Sequence, residues 1–261
     1  MITFCSDFGM ADPYAAIVKG VILSVNPKAE VIDLSHQLAV HDIPRAAFFV
    51  TSACAAFPPA TIHLCVVDPG VGGPRKPILL VTERGLFVGP DNGLFALIWK
   101  NSRKREVFWL RNKKYFFWGT SKTFDARDIF GPAAAYLSLG VAPEEFGPVL
   151  SQIHVLEFPA PVGPFPSRGG TRRFLGEIIY IDRFGNLVTN FSYGLVQGRS
   201  MEMRMGTRVM RGPVSHYAMI PKGKTAPILG SLGYLEIAGN ASSAVELLKA
   251  KIGMKVVVTL V

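Results

Sequence analysis

At 261 residues, 49% hydrophobic and only 18% charged, the chain is too apolar to be disordered and long enough to bury one large core or two modest ones. A formal net charge of +9 invites an anionic partner, yet no nucleic-acid-binding motif accompanies it. Its three cysteines, Cys5, Cys54 and Cys65, lie among apolar neighbours without metal-ligand spacing, which excludes a disulfide framework and points to buried, reduced thiols.

The start, Met1 to Asp7, lacks the basic and apolar regions of a secretory signal and reads at once as a strand, so a cytoplasmic protein is expected. The most apolar stretch, Ala46 to Val67, is broken by Thr51, Ser52, Pro58, Pro59 and His63, so no membrane-spanning helix is expected. Residues 1–6 and 29–34 are short, β-branched and bounded by turn formers. Between them, Pro13 to Asn26 carries apolar residues at helical spacing behind an Asp12 cap. Asp42 to Phe57 repeats the helical pattern behind another Asp, and Thr61 to Val67 reads as a buried strand. This alternation predicts a mostly parallel α/β sheet, whose ligands bind at the carboxyl ends of the strands. Asp7, Ser35-His36 and Asp68 each follow a strand and so share that edge.

Lys76 to Val88 reads as two strands around a turn at Glu83-Arg84-Gly85. The run Arg103-Lys104-Arg105, Arg111, Lys113, Lys114, Tyr115, Phe116, Phe117 and Trp118 reads mainly as a solvated hairpin, with nucleic-acid binding through segment 103–122 as the rival. Ala126 to Leu139 reads as a helix with Pro132 near its start. Residues 158–171 are so rich in Pro and Gly that they predict a linker between an α/β domain, 1–157, and an all-β barrel-like domain, 172–261. In the latter, Phe174 to Ile181, Leu187 to Phe191, Met201 to Met205, Thr207 to Arg211 and Lys255 to Leu260 are strand signals, and Ala241 to Lys251 is a helix.

Chemistry concentrates in a few loops. Val66-Val67-Asp68-Pro69-Gly70-Val71-Gly72-Gly73-Pro74-Arg75 places a carboxylate and an arginine at the two ends of a glycine-rich loop, where backbone can approach a ligand closely. It lacks the Lys-Ser/Thr ending of a triphosphate loop, and Asp68 with Arg75 reads either as a structural ion pair or as a pair that orients water or a cation. A second such loop is Gly89-Pro90-Asp91-Asn92-Gly93. Asp7 suits the hydroxyls of a ribose or an Asx-turn, and Asp182-Arg183-Phe184-Gly185-Asn186 suits a purine edge or a type I turn. Glu236, inside an apolar strand after Ser231, needs a partner, either a ligand amine or an arginine. The five histidines lack zinc-ligand spacing. No Gly-x-Ser-x-Gly elbow occurs, although a Ser/His/Asp arrangement stays open.

Ser6-Asp7-Phe8-Gly9 with Asp12-Pro13-Tyr14, Val31-Ile32-Asp33-Leu34-Ser35-His36, Val66 to Gly72, Pro90-Asp91-Asn92-Gly93, Arg127-Asp128-Ile129-Phe130 and Asp182 to Asn186 together resemble the S-adenosyl-L-methionine (SAM) hydroxide adenosyltransferase family, relatives of the fluorinases and chlorinases. The resemblance runs through nearly the whole chain. It implies hydrolysis of SAM to adenosine and L-methionine by water or hydroxide at ribose C5′, with no metal and no cofactor. It also implies a homotrimer with active sites between the N-terminal domain of one subunit and the C-terminal domain of the next. Asp7 would then hold the ribose, Phe184 and Asn186 the adenine, and Asp182, Ser231 and Glu236 the methionine end, with Phe124, Ala126, Asn240 and Ala241 completing the substrate-binding set. The family's catalytic Asp and Arg match Asp68 and Arg75. Its third residue, the histidine of Thr-Phe-His-Gly-Arg-Asp, is replaced in Thr123-Phe124-Asp125-Ala126-Arg127-Asp128 by Asp125. Asp125 therefore reads either as a modified catalytic assistant or as a helix cap, the latter leaving a catalytically weak or silent adenosine- or SAM-binding protein. Halide chemistry is disfavoured because Asp68 and Asp125 would repel an anion.

Overall fold

The computed structural model describes residues 1–117, 122–166 and 171–260. Trp118 of the basic aromatic run and residues 167–170 of the Pro/Gly-rich stretch lie outside the described residues. Two compact units emerge, Met1–Leu156 and Glu157–Val261. Among the described residues no helix is long and apolar enough to cross a membrane.

The first unit runs β1 (Ile2–Ser6), α1 (Tyr14–Val25), β2 (Val31–Ser35), α2 (Ile43–Cys54), β3 (Ile62–Val66), β4 (Pro77–Thr82), β5 (Gly85–Pro90), α3 (Ala96–Asn101), β6 (Arg105–Trp109), α4 (Gly131–Ser138) and β7 (Val149–Leu150). Its sheet has the order β2-β1-β3-β5-β4-β6-β7. The first four strands are parallel, and β4, β6 and β7 add on antiparallel. β1 and β3 are buried throughout because helices cover both faces. Ile2, Phe4 and Leu64 pack with α1 and α4 on one face, whereas Cys5 and Cys65 pack with α2 and α3 on the other. All three cysteines are buried and free.

Several local expectations are corrected. Asp12 does not cap α1: Pro13 itself occupies the boundary position and no side-chain cap bond forms, which leaves Asp12 one residue too early to reach the first turn. Asp42 does cap α2, accepting the Arg45 N–H at 3.1 Å. The helix expected from Ala126 begins instead as a wide π turn, Ala126–Phe130, in which the Gly131 N–H bonds the Ala126 carbonyl five residues back. Only glycine allows this, since a Cβ at position 131 would stand 2.9 Å from that carbonyl oxygen and 3.2 Å from Val18 of α1. The basic aromatic run is no hairpin. Its first part, β6, pairs with β4 and β7, and Glu83 accepts the N–H groups of Arg103 and Lys104, while Lys113–Tyr115 makes a single 3-10 turn.

The second unit runs β8 (Val162–Pro166), β9 (Arg172–Ile181), β10 (Leu187–Ser192), α5 (Tyr193–Val196), β11 (Met201–Met205), β12 (Arg208–Gly212), β13 (Thr225–Leu229), β14 (Tyr234–Gly239), α6 (Ala244–Leu248) and β15 (Lys255–Leu260). Its antiparallel strands follow the order β12-β11-β15-β9-β10-β14-β13, and the end strands β12 and β13 touch, so the sheet curls into a nearly closed barrel. Alternating methionines, Met201, Met203 and Met205, face its core with Ile178, Phe191 and Val258. The Pro/Gly-rich stretch is not wholly irregular, because β8 pairs with β9 along one side only and proline is tolerated at such an edge. α6 is shorter than expected: Ala241 adopts a left-handed φ of 50° and the helix starts behind a Ser243 cap.

Within the first sheet, Thr3 and His63 face one another in register, and the Thr3 hydroxyl meets His63 Nδ1 at 2.7 Å, both side chains fully buried. His63 Nε2 has no partner among the described residues. Thr3→Val keeps the shape but strips the ring of its remaining bond, so the protein should lose about 1–3 kcal/mol of stability, read as a lower denaturant midpoint with unchanged slope.

Candidate active site

β3 ends at Val66 and delivers Asp68 to the carboxyl edge of the parallel strands. The loop that follows is tightened by bonds from the Val71 N–H to the Asp68 carbonyl at 3.2 Å and from the Gly73 N–H to the Gly70 carbonyl at 3.0 Å. Gly72 has φ +76°, and a Cβ there would lie 2.8 Å from the Lys122 carbonyl oxygen, so glycine is what lets this loop approach the segment leading to Asp125. Arg75 then turns back. Its Nε donates to both Asp68 carboxylate oxygens at 3.0 Å, its Nη2 also meets Asp68 Oδ2, and the same Nη2 donates to Asp125 Oδ2 at 2.6 Å. The guanidinium also lies 5.5 Å from the Phe130 ring centre. Burial would lower the Arg75 pKa, but the hydrogen bonds and charges of Asp68 and Asp125 outweigh it and raise it. Asp125 makes no side-chain cap bond, so the capping role expected as one alternative is absent: the carboxylate is spent on Arg75.

Asp7, Asp68, Phe124, Asp125 and Ala126, all singled out in the sequence, line one cavity of about 280 Å3. Asp7 is oriented there by the His41 N–H, 3.0 Å from its Oδ2. Among the described residues the three carboxylates Asp7, Asp68 and Asp125 line it and Arg75 offsets one charge, so its field favours positive charge. Sequence reasoning missed Phe8, Tyr14 and His41. The rings of Phe8, Tyr14 and Phe124 meet edge to face, with centres 5.5–6.0 Å apart. Phe8 and Tyr14 flank the Asp7 turn, and an aromatic beside a turn was the available signal. Below the pocket, Ser6 Oγ meets His36 Nδ1 at 2.8 Å, His36 Nε2 meets Asp33 at 3.1 Å, and Lys19 bonds Asp33 at 2.5 Å. This Ser/His/Asp chain is no nucleophilic set, because Ser6 is 0% exposed; it braces the Asp7 turn, whose Gly9 N–H bonds the His36 carbonyl at 2.7 Å.

In the second unit, Asp182 Oδ1 accepts the N–H groups of Phe184 and Asn186 at 2.9 and 2.8 Å, and the Asn186 amide donates to Asp182 Oδ2 at 2.9 Å. This Asx-turn leaves Phe184 78% exposed. Phe184, Asn186, Asn240 and Ala241 line a cavity of about 390 Å3 together with Tyr217, Gly239 and Ser242, which the sequence reading did not name. Ser231 stands exposed in the turn before β14 and does not line it. Glu236 is 4% exposed, and among the described residues no arginine forms an ion pair with it. Space for its carboxyl exists because Gly230 has no Cβ, which would fall 1.8 Å from Glu236 Oε1. Burial, with the Asp182 charge adding, pushes the Glu236 carboxyl up to about 7. Among the described residues no three His, Cys, Asp or Glu side chains gather as metal ligands.

The family model of the SAM hydroxide adenosyltransferase N-terminal domain matches residues 2–147, and that of the C-terminal domain matches residues 176–257. The chain is 38% identical to an (R)-S-adenosyl-L-methionine hydrolase from Thermus thermophilus, covering 98% of each, and 34% identical to one from Salinispora tropica, covering 99% of this chain and 97% of that one. A fluorinase from Actinoplanes sp. is more distant, at 24% identity. The crystal structure of an uncharacterized conserved protein from Thermotoga maritima superimposes with a TM-score of 0.90 at 32% identity over 99% of each chain. The chain therefore belongs to the SAM hydroxide adenosyltransferase family.

Proposed function

We propose that the protein hydrolyses SAM to adenosine and L-methionine, water or hydroxide attacking ribose C5′ without a metal or cofactor. What carries this reading is the Asp68–Arg75–Asp125 bridge on the wall of a carboxylate-rich pocket. A sulfonium is already a good leaving group, so the protein has only to align an oxygen behind C5′, shield it from bulk water and bind the cation. The C5′–O bond forms as the C5′–S bond breaks, sulfur keeps the electron pair as a neutral thioether, and the water proton passes to a carboxylate. Arg75 holds Asp68 and Asp125 at the spacing this transfer needs, and Asp7 takes the ribose hydroxyls. Phe184 offers an open face for adenine and Asn186 its amide, in a cavity shaped by Asn240 and Ala241; Asp182, joined by Glu236 once it is deprotonated above about 7, serves the methionine ammonium. In this reading the chain works as a homotrimer in which a neighbouring subunit supplies the second set of groups, and light scattering should give three chain masses.

Purified protein incubated with SAM should release adenosine. Asp68→Asn and Asp125→Ala should each lower kcat about a hundredfold or more while the variants stay folded. A second reading, a silent SAM- or adenosine-binding protein, is favoured by the tight engagement of Asp125 with Arg75. It prevails if chromatography detects no adenosine while calorimetry detects adenosine binding, and Asp125→His then should restore turnover.

Glu236 supplies a pH test. Its carboxyl titrates near 7 in the fold against a usual 4.5, so the fold favours the protonated form. The resulting stabilisation is complete below about 4.5 and is lost as pH rises through about 7. Glu236→Gln should therefore melt like the parent at pH 4.5 and be more stable by about 1–3 kcal/mol at pH 8. In turnover assays KM for SAM should fall as pH rises through 7 in the parent but not in Glu236→Gln.

A further inference from the structure

We propose that the attacking water, and the proton it sheds, use a second cavity behind Asp125, separate from the pocket that takes the nucleoside. This inference rests on the hydrolase reading above. The rear cavity has a volume of about 330 Å3, and its walls include Gly72, Gly73, Arg75, Lys113, Lys122 and Asp125. Among the described residues Asp125 alone lines both this cavity and the front pocket. Asp68, Phe124 and Ala126 face the front, and Arg75 faces the rear. At Asp125, which both cavities share, Arg75 donates to the carboxylate, and the nearby Gly72 packs against the Lys122 carbonyl.

Such a second route answers a demand of the chemistry. In-line attack at C5′ needs an oxygen on the side away from sulfur, in a pocket lined by Phe8, Tyr14 and Phe124 whose mouth a bound nucleoside would occupy. Once the nucleoside fills the front, neither fresh water nor a departing proton can use that mouth. The front carboxylates also repel hydroxide and basic anions. At the rear, Lys113 and Lys122 are exposed at the rim and draw such anions in. Asp128, the other acid there, is already matched by Arg127 at 2.6 and 2.8 Å. One water proton then passes to the Asp125 carboxylate as oxygen bonds to C5′ and sulfur departs with the electron pair. The Asp125 carboxylic acid returns that proton to water or an anionic base in the rear cavity.

Formate is a suitable probe, since it can occupy the space vacated by the side chain in Asp125→Gly, with Asp125→Ala in reserve if glycine unfolds the turn. Calorimetry on the variant saturated with adenosine should show formate still binding, and formate should restore adenosine release from SAM. Adding Lys113→Glu and Lys122→Glu should raise the half-saturating formate concentration about threefold to tenfold in both measurements, with KM for SAM unchanged. Formate that competes with adenosine, fails to bind, or ignores the lysine charges would overturn the rear route. A parent protein that releases no adenosine would instead sink the hydrolase reading, and the calorimetric measurement would still decide the cavity.

Discussion

Everything in the first unit's pocket is arranged around one guanidinium shared by two carboxylates. Asp125 lies 50 residues from Arg75 in sequence, and the 2.6 Å bond between them ties the loop after β3 to the π turn before α4. A part-buried arginine flanked by Asp68 and Asp125 is strongly retained in its charged form. The assembly nevertheless carries one more negative than positive charge, which solvent or a cation must offset. That deficit gives the pocket a negative field, which attracts cations and repels anions.

The loop geometry follows from the same constraint. Bringing two backbone segments together so that one arginine can span them requires a loop with no side chains at the crossing, which Gly72 provides against the Lys122 carbonyl. The wide turn at Ala126–Phe130 does the corresponding work on the other side, aiming Asp125 outward from a helix start that would otherwise fold its carboxylate back onto its own N–H groups. In the second unit the same economy appears in the Asp182 turn, where one carboxylate takes three donors and leaves Phe184 open to a ligand.

The acid at position 125 sets the electrical character of the site. Histidine can donate as well as accept and can be neutral, whereas an aspartate beside Asp68 adds negative charge and depends on Arg75 to be tolerated. The added charge favours a cation over a neutral ligand in this pocket.

Much of this was legible in the residues alone. The periods of α1, α2 and β3, the Asp42 cap, the turn at Gly85 and the buried cysteines are written in windows of a few residues and formed where their patterns stood, whereas the helices expected from Ala126 and Ala241 start later. The motif loops likewise marked Asp7, Asp68, Arg75 and Asp125 before any contact was known. Tertiary structure alone decided where their side chains point: that Asp125 faces Arg75 and caps nothing, that Ser6, His36 and Asp33 brace a turn, that Glu236 has no arginine, and that Tyr14 and Tyr217 line cavities. The physical reason is range. Backbone conformation answers to neighbours within a turn or two, but a charge finds its partner, and a pocket its walls, only among segments that the sheet brings together from distant parts of the chain.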